Sequence, residues 1–187
     1  MQTTAHPRSL TDRMKGAAFL DVDTYEEVEH DESATSQAAL VVAITAVTQA
    51  IGAAAGHGNA GRNFIGTVIV ALIAWWLSAG ITYFVGTRLF GGTATWGEVA
   101  RTLGFANSPS VLAVFGFVPG LGRLLLVVLS IWVLVARIIA IRQALDFDTG
   151  KAIATAFIGW LVAMIPIFLL AMLVMGAAIA GGMSRAL

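Results

Sequence analysis

Apolar residues fall into five long blocks, at about 37–56, 64–85, 99–118, 122–141 and 153–179, and the first 33 positions contain no such block. Each block is near the ~20 residues that carry an α-helix across the hydrocarbon core of a bilayer. The pattern predicts an all-α, polytopic membrane bundle of five transmembrane helices over residues 34–187, preceded by a polar helical head at 1–33. Two blocks are interrupted. Thr45, Thr48 and Gln49 break the first, and Arg101 and Asn107-Ser108-Pro109 break the third.

Within the head, Leu10, Met14, Ala17 and Ala18 recur at helical spacing, with Asp12, Arg13 and Lys15 on the other side. This predicts a short amphipathic helix, which either lies on the membrane surface with its bases at the headgroups or packs as a solvated helix on the body. Thr24-Tyr25-Glu26-Glu27 matches a capping box and predicts a second, solvated helix over about 24–31. No apolar run starts in the first thirty residues, so no signal peptide is expected. The breaks between blocks carry turn chemistry: Gly56–Gly61, Phe90-Gly91-Gly92-Thr93, Val118-Pro119-Gly120 and Asp146–Lys151. Thr95 and Glu98 form a second capping-box pattern, and Asp148 and Thr149 are placed to cap the last helix. Short links favour antiparallel neighbours and a single bundle.

Composition sharpens the membrane assignment. The 187 residues are 58% apolar and only 12% charged, with a mean hydropathy of +0.84. A soluble domain carries about 25% charged residues. The zero net charge hides a split, because residues 1–33 hold eight acids and three bases while the body holds three acids and eight bases. No basic stripe interleaved with aromatics exists, so nucleic acid is not an expected partner. With the N-terminus inside, Arg8, Arg13, Lys15, Arg88, Arg101, Arg137, Arg142 and Lys151 fall on the inner side, against Arg62, Arg123 and Arg185 outside. That bias favours a cytoplasmic N-terminus and an outward C-terminus.

Little in the chain resembles reaction chemistry. It has no cysteine, and His6, His30 and His57 lie far apart, so no metal, cofactor or catalytic group is expected. Gly150-Lys151 fails as a phosphate loop, because Leu145 stands where a glycine is needed and Ala152 where a hydroxyl is needed. The polar residues inside the blocks are the candidates instead. Pro109 removes a backbone donor, so Asn107-Ser108-Pro109 is either a kink or the broken helix of a binding site. Arg101, Asn107, Pro109 and Arg137 form the candidate intramembrane site, with snorkelling to the headgroups as the alternative for Arg137. Asp23, Glu26, Glu27 and Glu29 form the candidate partner-binding face of the head. Ala39, Ala43, Ala46, Ala50, Gly52, Ala54 and Gly56 supply a small-residue face on the first block, for internal packing or self-association.

The layout resembles the YIP family of Ypt/Rab-interacting membrane proteins. The resemblance rests on the polar head, the five close blocks, Leu103-Gly104-Phe105-Ala106-Asn107-Ser108-Pro109 in the third, and Asp148-Thr149-Gly150-Lys151-Ala152 before the fifth. It is nearest to the bacterial-type branch, since the Asp-Leu-Tyr-Gly-Pro signature of eukaryotic members is absent. The resemblance implies a non-enzymatic integral membrane protein with a cytoplasmic N-terminus, acting as an adaptor or scaffold in membrane complexes or membrane organisation. The expected location is the bacterial inner membrane. Expected partners are membrane lipids and a membrane protein or a second copy. The competing reading is a small permease or channel with its site near the broken third block.

Overall fold

The computed structural model of the chain describes residues 8–54 and 64–183. The loop at 56–61, His6, His57, Arg62 and Arg185 lie outside the described residues. Among the described residues there are only helices and turns: α1 (Leu10–Ala18), α2 (Val22–His30), α3 (Ala34–Ala54), α4 (Phe64–Phe90), α5 (Trp96–Phe105), a 3-10 segment (Ser108–Phe117), α6 (Leu121–Ala144) and α7 (Thr149–Met183).

Caps explain where several helices start. The Ser9 hydroxyl accepts the backbone N–H of Asp12 at 3.2 Å and opens α1. Thr95 and Glu98 close the expected capping box on α5, and the Asp148 carboxylate accepts the Lys151 backbone N–H at 3.0 Å at the start of α7. The capping box expected at Thr24 does not form. Leu20 adopts a left-handed backbone (φ 64°), which turns the chain directly out of α1 and puts Asp21 in the N-cap position. Thr24 therefore falls inside the first turn of α2, and its hydroxyl donates to Asp21 Oδ2 at 2.6 Å.

The segments Ala34–Ala53, Phe64–Phe90 and Leu121–Ala144 are long and apolar enough to cross a membrane. The last helix continues past position 166, where proline stands, to Met183, and its segment Thr149–Ile165 is also apolar. The third block is different and corrects the expectation of one helix over 99–118. It divides into α5 and the 3-10 segment, with Asn107-Ser108-Pro109 at the join. Pro109 has no N–H to offer the Phe105 carbonyl four residues back, and the Ser108 hydroxyl takes that carbonyl instead, at 2.6 Å. The Asn107 side-chain amide donates to the Leu103 carbonyl at 2.9 Å. The α-helical ladder is thus closed off by side chains, and the chain continues with i→i+3 bonds.

The 3-10 geometry rises about 2.0 Å per residue, so ten residues cover about 20 Å rather than the ~15 Å of an α-helix. This stretched segment runs beside α3 in the same direction. Gly104 lies against Ala38, the Thr48 hydroxyl donates to the Ser110 carbonyl at 3.3 Å, and Gly52 lies under the Ala113 carbonyl. A side chain at position 52 would strike that carbonyl, so Gly52 serves this internal contact. Gly120, with φ 77°, turns the chain into α6, which returns antiparallel with Gly122 against Gly116. α7 then runs antiparallel to α4, with Gly159 facing Ile81 and Thr82, close enough that an added Cβ would touch both.

Candidate functional site

The polar candidates separate into two levels. The first is the seam between the head and the bundle. Residues Val99 to Phe105 of α5 are all buried, enclosed by α2, α3, α4 and α6. Arg101 points out of this helix toward the head rather than into a cavity. Its Nε donates to the carbonyls of Val28 and Glu29, both at 3.0 Å, and an Nη2 bond to the Glu29 carbonyl completes the fork. These carbonyls belong to the last turn of α2 and have no partner within their own helix. The arginine therefore caps α2 from across the seam.

The rest of the head is tied down in the same way. Arg13 is 2% exposed, which fits the packed alternative for its helix rather than one that turns its bases toward headgroups. Its Nε and Nη2 donate to Glu27 Oε1 at 3.0 and 2.9 Å, Nη2 donates to Asp31 Oδ2 at 2.6 Å, and Nη1 donates to Gln37 Oε1 at 3.1 Å. One guanidinium thus joins α1, α2 and α3. Two last-turn carbonyls of α1 are capped as well: the buried Tyr25 hydroxyl donates to Ala17 at 3.0 Å and the Trp132 indole of α6 donates to Ala18 at 2.8 Å. The Ser33 hydroxyl, followed by Arg13, holds the Asp31 carboxyl below its ordinary value.

This arrangement sorts the four acids of the expected partner face. Asp23 and Glu26 are exposed. Glu27 is occupied by Arg13 and, at 3.2 Å, by Arg8. Glu29 is buried at the seam, and burial, aided by the negative charges of Glu98, Asp146 and Glu26 against the opposing His30, pushes its carboxyl up to about 7. Asp146 itself accepts the Thr93 hydroxyl at 2.7 Å. Among the described residues, no group of three His, Asp or Glu side chains is placed to hold a metal.

The second level lies just beyond α5, where Arg137 of α6 sits between two cavities. One, of about 510 Å³, is walled by α4, α6 and α7 with Leu103 of α5, and includes Ser78 and Thr82. The other, of about 660 Å³, is walled by α3, α4 and α6 and includes Thr45, Gln49 and Asn107. Ser78 and Arg137 line both. The Arg137 Nε is buried without a hydrogen-bond partner. Asn107 therefore shares a cavity with Arg137. Pro109 is buried at the start of the 3-10 segment, and Arg101 is spent on α2. Trp75 marks the boundary between the two levels, its indole donating to the Ala100 carbonyl at 2.8 Å while its ring edge meets Trp76.

A family model, the Yip1 domain, matches residues 21–172. The chain belongs to the Yip1 family. The Yip1 match begins at Asp21, so it takes in α2 together with the bundle and leaves α1 outside. It places the chain among membrane proteins, in agreement with the apolar helices. No curated protein and no solved structure matches the chain.

Sequence reasoning picked out Arg101, Asn107 and Arg137 by their position in apolar blocks, and the structure joins only the last two. It missed Arg13, Gln37 and Trp132 as head-fixing groups. Arg13 alone carried a signal, being a base on a short helix followed by a run of acids.

Proposed function

We propose that this Yip1-family chain is a non-enzymatic adaptor of a bacterial inner membrane, with a cytoplasmic head that presents an acidic surface to a protein partner. The observation that carries this reading is the division of labour on α2. Its inner face is held by Arg13 and Arg101, while Asp23 and Glu26 are left free on the outer face. A helix anchored along its inner face and C-terminal end presents its exposed acids in a fixed geometry, which reduces the ordering cost of binding. The partner's matching surface is basic.

In this reading the chain crosses the membrane five times, with the third pass made of α5 and the 3-10 segment. The C-terminus lies outside, in keeping with the lysine and arginine bias. Asp23→Lys together with Glu26→Lys tests the reading in a mild-detergent pull-down from native membranes. The expected result is a stoichiometric partner held by the wild type and lost by the double variant. Retention of that partner by the double variant overturns the acidic docking face.

A second reading, a small permease, draws on the cavity shared by Asn107 and Arg137. Its site excludes Arg101. A partner-free self-assembly in the same pull-down, with anion flux into proteoliposomes, favours it.

A further inference from the structure

Among the described residues, Arg137 forms no ion pair, and its buried Nε has no acceptor. A guanidinium stays protonated under all ordinary conditions, so this is a permanent cation inside the bundle. The residue as a whole is half-buried, but its Nε is hidden without an acceptor, and an anion in the adjoining cavity would supply one. The body's own acids, Glu98, Asp146 and Asp148, sit at helix ends or links and leave this charge uncompensated.

The shape of the 510 Å³ cavity says which anion. Its volume falls in the ~300–1,000 Å³ range of sites for small molecules. Around Arg137 it offers the hydroxyls of Ser78 and Thr82. Between α6 and α7 its walls include Leu134 and Ile138, which flank Arg137, and Phe157, Trp160 and Ala163 of α7. Leu134, Phe157 and Trp160 are each more than half exposed, at 54%, 58% and 56%, so this side opens toward the lipid-facing surface. The site thus has a cationic, hydroxyl-lined head end and an apolar trough open to the bilayer. A free inorganic anion has no use for the trough, and an apolar molecule has none for the guanidinium.

The geometry points to a bound anionic phospholipid, its phosphate on Arg137 and one acyl chain in the groove between α6 and α7. Arginine takes phosphate through paired N–H donors, and basic pockets between transmembrane helices suit acidic headgroups. Arg137 lies toward the head-side end of α6, and the trough runs from there along α7 toward Ala163, so the lipid comes from the leaflet on the side of the head.

Native mass spectrometry of the whole protein tests this, with phosphatidylglycerol or phosphatidylcholine added in mixed micelles. The expected result is retention of phosphatidylglycerol over phosphatidylcholine, weakened about tenfold or more in Arg137→Gln, as loss of a charge-assisted pair implies. Arg137→Lys keeps part of the preference, and Arg123→Gln, at the other end of α6, keeps all of it. Ala163→Phe fills the trough with the cation intact and loses the lipid, which secures the test should Arg137→Gln fail to fold. Equal retention of the two lipids overturns the proposal, as does full retention by Arg137→Gln. Displacement of phosphatidylglycerol by inorganic phosphate also overturns it, since that result describes a small-anion site.

Discussion

At the seam between head and bundle, buried guanidinium groups are in use: Arg13 donates from all three of its nitrogens and Arg101 from two. Beyond α5, at Arg137, a guanidinium nitrogen is equally hidden and pairs with nothing. The two regions share α6 and a residue type, but Arg13 and Arg101 are buried whole while Arg137 is half-buried, and what faces each cation differs as well. Carboxylates and helix-end carbonyls face Arg13 and Arg101, and these residues account for how the fold is held. Hydroxyls, amides and open volume face Arg137, which leaves an interaction for something else to complete. Seam substitutions should therefore register in stability, and substitutions around Arg137 in what the protein binds.

The largest expected effect is at Arg13. Arg13→Ala removes the common partner of Glu27 and Asp31, which leaves Asp31 without an ion-pair partner and Glu27 with Arg8 alone. Breaking a buried ion pair from one side costs about 3–5 kcal/mol. Both acids keep 28% exposure, which puts the expected loss near the low end, about 3 kcal/mol. Thermal unfolding in detergent micelles reads it, with Lys15→Ala as the exposed control. A loss no larger than that of Lys15→Ala would mean that the cluster contributes nothing to holding the head.

Arg101→Ala comes next, at about 2 kcal/mol, because it strips charge-assisted donors from the buried carbonyls of Val28 and Glu29. Its signature is local: backbone amide exchange should quicken in α2 more than in α4 or α6. Arg101→Lys should recover only part of the protection, since an ammonium lacks the planar fork that reaches both carbonyls. Uniform acceleration across all helices would show that Arg101 supports the bundle generally rather than capping α2.

These effects also mark where the sequence was readable. The apolar blocks were legible because bilayer and water impose opposite compositions, and the break in the third was legible from Pro109. The capping box at Thr95 held because a helix starts there, whereas the same pattern at Thr24 failed because Leu20 turns the chain early. The role of Arg101 was invisible for a different reason. Its partners are backbone carbonyls more than seventy positions away, and a carbonyl carries no residue type. The cavity at Arg137 was equally hidden, since its walls come from α4, α5, α6 and α7 and exist only once they pack.

Glu29 sharpens the comparison most finely, because it is the seam's own unfavourable charge. Its folded carboxyl stands at about 7 against an ordinary value of 4.5, with burial as the first cause. Below about pH 4.5 the acid is neutral in both states and costs nothing. Between there and pH 7 the unfolded chain gives up its proton while the folded one keeps it, so stability falls as pH rises, and above 7 the full penalty is present. Glu29→Gln should therefore stabilise the protein at pH 8 by about 1–2 kcal/mol, have little effect at pH 5, and flatten the slope between. His30 adds to the upper end of this fall: its imidazole is raised above its ordinary 6.5, first by the Glu26 carbonyl and then by Glu29, so it too loses stability as pH rises, from 6.5 upward. Measuring Glu29→Gln in a His30→Asn background removes that contribution. A slope unchanged by Glu29→Gln would show that water reaches this carboxylate, and that the seam is less tightly closed than the bonds of Arg101 imply.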